Sequence, residues 1–164
     1  MTRCTVRGAV PENPEDAPVP TNAKLPDGQH ADHWVLCAEE RAKGFVRPLR
    51  QSYVHVGPPP PEFPLRELTQ QELERYADVG YVKFETYPPE AGRAASGRFW
   101  TQEQLNKVNK GCGVLTRMPM ACAETYAREP SYYGSTFCCG CGQYLPVGAK
   151  GEFVWDGTAE RVGT

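Results

Sequence analysis

The chain has 164 residues, enough for one ordinary domain or for a small domain with long arms. Only 40% of them are hydrophobic, while Gly and Pro reach 16 each, so turns and irregular segments are plentiful and the core is modest for the length. With 18 basic residues against 20 acidic ones, a net charge of −2 gives no global drive toward nucleic acid or an anionic membrane, and no apolar run is long enough for a membrane-spanning helix.

The N-terminal stretch MTRCTVRGAVPENPEDAPVP has no apolar signal core. Together with an odd count of seven cysteines, this predicts a cytoplasmic, reducing setting with free thiols rather than a disulfide framework. Residues 1–32 read as an extended proline-rich arm, carrying Pro11, Pro14, Pro18, Pro20 and Pro26 among acidic and small polar residues. That composition cannot bury enough apolar surface to offset the entropy of ordering, so such an arm needs a partner to lie on. Residues 33–164 read as a single α+β domain of short helices and strands.

Within that span, CAEERAKG (37–44) predicts a short helix closed by Gly44. FVRPLRQSYVHV (45–56) has strand character, with Pro48 arguing for an edge or a bulge. GPPPPEFP (57–64) is a stiff polyproline spacer. Thr69 with Glu72 forms a capping box ahead of Leu73, Tyr76 and Ala77, and Gly80 closes that helix. YVKFETY (81–87) alternates as a half-buried strand. EAGRAASGR (90–98) reads as a loop, and a second capping box at Thr101 and Gln104 opens another helix that ends near Gly111. Pro119 starts MACAETYARE, which Pro130 terminates. EFVW (152–155) is a strand followed by an Asp156-Gly157 turn.

The chemistry concentrates at FCCGCGQYLP (137–146). Cys138 and Cys141 stand three residues apart, a spacing at which a tight turn aims two thiolates at one tetrahedral ion and its backbone N–H groups stabilise the sulfurs. Gly142 supplies the left-handed backbone such a turn needs. In these features the stretch resembles the zinc knuckle of zinc-ribbon and treble-clef modules. The resemblance covers about ten residues, omits the proline many knuckles carry between their cysteines, and implies one structural zinc ion.

A knuckle supplies two ligands and a closed structural site needs four. With no second CxxC, Cys112 in Gly111-Cys112-Gly113 is the best third ligand. His55, at the end of the 45–56 strand, is the best fourth, with Cys122, Cys37 and His33 behind it. Cys122, among Met120, Ala121 and Ala123, reads better as a small core residue. Cys139 reads as a bystander facing away from the other two. The glycines and Pro146 around the motif exclude the helix start that a redox dithiol requires. No HExxH, zinc-deaminase pattern, GxSxG or phosphate-binding P-loop is present, so no catalytic role is assigned.

Arg47 and Arg50, close to Phe45 and Tyr53, offer candidate nucleic-acid or phosphate contacts. The bland alternative pairs those arginines with the acidic arm (Glu12, Glu15, Asp16) or with local carbonyls. The reading favoured by the whole sequence is a non-enzymatic, zinc-stabilised structural or assembly protein that binds other protein subunits through its arm and loops. An accessory component of a phage particle would suit such an arm. The alternative is a small zinc-knuckle protein that binds nucleic acid or serves in regulation.

Overall fold

The computed structural model describes residues 3–5, 26, 33–87 and 97–164. Most of the expected arm, and residues 90–96 of the expected 90–98 loop, lie outside these. The described residues form four helices and ten strands gathered in small antiparallel sheets, an α+β architecture. Within the span read as one domain, the chain packs as two compact units. The first runs up to Val56 and resumes at Cys112–Thr164, and the second is Gly57–Gly111.

In the first unit, strands β1 (Arg3–Thr5) and β2 (Trp34–Leu36) pair antiparallel, with Cys4 opposite Val35. Cys4 is bonded to Cys37 through a disulfide, at a Cα–Cα distance of 5.0 Å. This corrects the expectation of seven reduced thiols, and it removes Cys37 from the candidate ligands. The physical reason is the pairing of β1 with β2, which brings together cysteines 33 positions apart that share no local motif.

Helix α1 (Ala38–Arg41) follows at once, and Gly44 closes the segment with a φ of +107° that favours glycine. Strand β3 (Ser52–His55) starts beyond Pro48 and lies in the middle of its sheet. The expected edge or bulge is therefore corrected, because Pro48 stands outside the ladder and β3 pairs in regular register on both sides. The neighbours are β7 (Leu115–Arg117) and β10 (Phe153–Trp155). Along β3, Tyr53 and His55 point to the buried side and Ser52 and Val54 are half-buried, the period-two consequence of the pleat.

Helix α4 (Met120–Arg128) begins after Pro119, whose carbonyl accepts from the N–H groups of Cys122 and Ala123. Its buried residues Cys122, Ala123, Tyr126 and Ala127 recur at helical spacing and face the core. That core joins Val35, Tyr53, Met118, Tyr126, Phe153, Trp155 and Val162, with Tyr53 set edge-on to Phe153 and Trp155. Cys122 belongs to it, and burial pushes its thiol up to about 11. A hairpin of β8 (Ser135–Cys138) and β9 (Gln143–Pro146) completes the unit and carries the cysteine motif in its turn.

The second unit is a three-stranded sheet of β4 (Leu65–Glu67), β5 (Tyr81–Glu85) and β6 (Arg98–Thr101), with helices α2 (Gln70–Arg75) and α3 (Gln102–Lys107). Both helices start at complete capping boxes, Thr69 with Glu72 and Thr101 with Gln104. The β5 ladder shifts register between Tyr81 and Lys83. This bulge breaks the simple alternation, so Tyr81 and Phe84, three positions apart, both pack against Phe99. It also leaves Glu85 fully buried, where its carboxylate accepts from the N–H groups of Glu62 and Phe63 at 2.8 and 3.0 Å and from the Trp100 indole at 2.9 Å.

Candidate metal centre

The β8–β9 turn brings the cysteine pair into position locally. Cys138 ends β8, the Gly142 N–H donates to the Cys138 carbonyl at 2.8 Å, and Gly142 has a φ of +68°. The Cys141 N–H points at Cys138 Sγ at 3.4 Å, which helps carry negative charge on that sulfur. Gly140 is needed for a different reason. A Cβ there would stand 2.7 Å from the Val114 Cβ and 2.8 Å from Cys112 Sγ, so only glycine lets the turn approach the segment that carries Cys112.

The other two donors come from the points where the chain leaves the first unit and returns to it. His55 closes β3 and Cys112 opens the return, and the Gly113 N–H donates to the His55 carbonyl at 2.9 Å. The 57-residue separation of His55 and Cys112 is thus bridged by backbone pairing.

Together, His55, Cys112, Cys138 and Cys141 offer one ligand atom each, all within 4.8 Å of one another. Cys112 Sγ lies 3.4 Å from Cys138 Sγ, and His55 Nδ1 lies 3.4 Å from the sulfurs of both Cys112 and Cys141. A tetrahedral ion with ordinary Zn–S and Zn–N bonds separates its ligands by about 3.8 Å (S to S) and about 3.6 Å (S to N). The group therefore has the size and donor set to hold a metal ion. Cys138 and His55 are buried, while Cys112 and Cys141 reach the surface.

The electrostatics favour a cation. Desolvation opposes ionisation of Cys112, but the Val114 N–H, the His55 ring and the two neighbouring thiols outweigh it and bring the thiol down to about 7. Desolvation raises Cys138, and it raises Cys141 to about 12 with the Cys112 and Cys138 sulfurs adding to the shift. One thiolate forms readily, and its charge resists the next. A positive charge at the centre would favour ionisation of all three.

The alternatives for the fourth position are placed elsewhere: Cys37 in the disulfide and Cys122 in the core, and His33 is not among the four. Cys139 is outside the group as well. Its sulfur accepts from the Thr116 hydroxyl at 3.3 Å, and its N–H donates to the same oxygen at 3.1 Å. Arg50 forms a two-pronged ion pair with Glu160 at 2.8 and 3.0 Å and lies over the Trp155 ring. Arg47 donates to the Thr164 carbonyl at 3.0 Å. These two guanidinium groups are engaged within the chain, Arg50 with the Glu160 side chain, while the arm carboxylates Glu12, Glu15 and Asp16 lie outside the described residues.

One residue of the centre had no signal in the sequence. Glu152 Oε1 lies 3.0 Å from His55 Nε2, the ring nitrogen that faces away from the sulfurs. Nothing in the stretch EFVW sets this glutamate apart, because the pairing of Phe153 with His55 across β10 and β3 is what delivers it. Compared with known proteins, the chain matches no family model, no curated protein and no solved structure. Among the described residues no helix is long and apolar enough to cross a membrane.

Proposed function

We propose that His55, Cys112, Cys138 and Cys141 bind one zinc ion that staples the first unit, and that the protein is a non-enzymatic structural module. The observation that carries this reading is the closed set of four protein donors, three sulfurs and one ring nitrogen, in a tetrahedral-sized cluster. Thiolate-rich tetrahedral sites select zinc over hard cations such as magnesium and calcium. Four protein ligands leave no open position for water or substrate, which a catalytic zinc needs. The turn around Cys138 and Cys141 then acts as a zinc knuckle.

Such a staple joins β3, the Cys112 segment and the β8–β9 hairpin, none of which is adjacent in sequence. Phe45, Val46 and Leu49, exposed together between α1 and β3, support a surface that meets another protein subunit.

Elemental analysis of protein purified without chelator should give about one zinc per chain. Cys138→Ser and Cys141→Ser should lose the metal and the folded first unit, whereas Cys139→Ser should keep both. Metal-free protein that is fully folded would overturn the reading. Sedimentation at micromolar concentration addresses the partner, and a monomer to which no other protein binds would remove that part.

A further inference from the structure

We propose that Glu152 is the positioning residue of the centre: it holds His55 in the tautomer that presents Nδ1 to the cation. The inference rests on the zinc reading above and adds a residue, a tautomer and a ligating atom to it.

Two neighbours fix the protonation pattern of the His55 ring independently. The Cys112 backbone N–H can only donate, and it donates to Nδ1 at 3.1 Å, so Nδ1 carries a lone pair. Nε2 then carries the proton, and it donates to Glu152 Oε1 at 3.0 Å. The lone pair that the Cys112 N–H engages is the one aimed at the sulfurs of Cys112 and Cys141, each 3.4 Å from Nδ1. A cation would take it in place of the N–H.

Glu152 is itself held from both sides. Its N–H donates to the Pro146 carbonyl on β9 at 2.9 Å, and its carbonyl accepts from the Val56 N–H at 3.0 Å. The adjacent Phe153 ring packs against the His55 ring at 5.2 Å between centroids. The carboxylate cannot drift along the chain, and the imidazole cannot turn over without losing both its hydrogen bond and its ring contact. A carboxylate on the far nitrogen also makes imidazole a stronger donor to a metal and adds negative charge near the cation. A Cys/Cys/Cys/His set backed by a carboxylate therefore binds more tightly than its four ligands would alone.

The test uses the full chain with zinc as the probe, in competition with a chromophoric chelator. Glu152→Ala should bind zinc about 10- to 100-fold more weakly than the native chain. Glu152→Gln, whose side-chain carbonyl can accept the same hydrogen bond, should recover most of that loss. Long-range ¹⁵N correlation spectra of zinc-loaded native protein should show His55 bound through Nδ1 with a proton on Nε2. That tautomer is a readout a merely structural role would not move, and it requires no variant to fold. Coordination through Nε2, or unchanged affinity in Glu152→Ala, would overturn the proposal. If the native chain takes up no zinc, the metal reading fails and this one with it; if it takes up zinc and Glu152→Ala is unaffected, only this inference fails.

Discussion

The two units solve one problem, tying distant segments together without a large core, by opposite means. The first gathers β3, the Cys112 segment and the β8–β9 hairpin around three sulfurs and an imidazole. The second gathers the 62–63 segment, β5 and β6 around the buried carboxylate of Glu85. Thiols crowded together repel once ionised, and a cation from outside the chain would relieve that repulsion. A carboxylate that accepts three N–H donors is satisfied by the chain itself. On the zinc reading proposed above, a small unit with few apolar residues can be closed either by a removable ion or by a permanent hydrogen-bonded anchor. Only the first kind responds to what the surroundings supply.

The largest effect should come from removing the proposed zinc ion. A strong chelator should unfold the first unit, because binding free energy of a structural zinc, about 10–16 kcal/mol in small modules, is folding free energy. Amide exchange should then lose protection in β3 and β8–β9 while β5 and β6 keep theirs. Equal loss in both units would break the comparison.

Next comes the carboxylate anchor. Glu85→Ala leaves the Glu62, Phe63 and Trp100 N–H groups without an acceptor and should cost about 3 kcal/mol in denaturant unfolding, with zinc content unchanged. A change in zinc content would mean that the two devices are coupled.

Gly140→Ala should be milder. The added methyl must displace Val114 or Cys112, which costs about 1–3 kcal/mol by overpacking and should lower zinc affinity, read by the same chelator competition. Retained affinity would show that the turn does not depend on that close approach.

The smallest effect belongs to the helix cap. Thr69→Ala removes the oxygen that accepts the Glu72 N–H and should cost about 1 kcal/mol. The Arg66 guanidinium, followed by the Thr69 N–H, holds the Glu72 carboxyl down to about 2. A carboxyl depressed in the folded state stabilises above its unfolded value, and that contribution fades as pH falls from about 4.5 toward 2. Acid titration of Glu72 by NMR should show this midpoint. Because the pair is exposed, added salt should weaken its effect on stability.

Much of the local structure was legible because local rules decide it. Capping boxes at Thr69 and Thr101 mark helix starts through hydrogen bonds that span only three residues. Proline at 119 and 130 bounds α4, and the alternation of YVKFE marks β5. The strands that were not read, β1, β2, β4, β6, β7, β8 and β9, are three or four residues long, too short to show a period. Their pairing partners define them instead. The β5 bulge belongs to this second class, because alternation along one strand carries no information about a residue inserted against its neighbour.

The site divides along the same line. Cys138, Cys141 and Gly142 were legible in the sequence alone as a candidate ligand pair and its turn, since a two-thiolate turn is a local geometry with a recognisable spacing. Cys112 and His55 followed from counting the ligands still needed among a few unassigned residues. Only the tertiary structure decided that Cys37 belongs to a disulfide, that Gly140 must lack a side chain, and that Glu152 stands behind His55. Each of those depends on which strands lie side by side. Pairing across 33 or 97 residues of chain is set by the energy of the whole fold, and no short stretch of sequence encodes it.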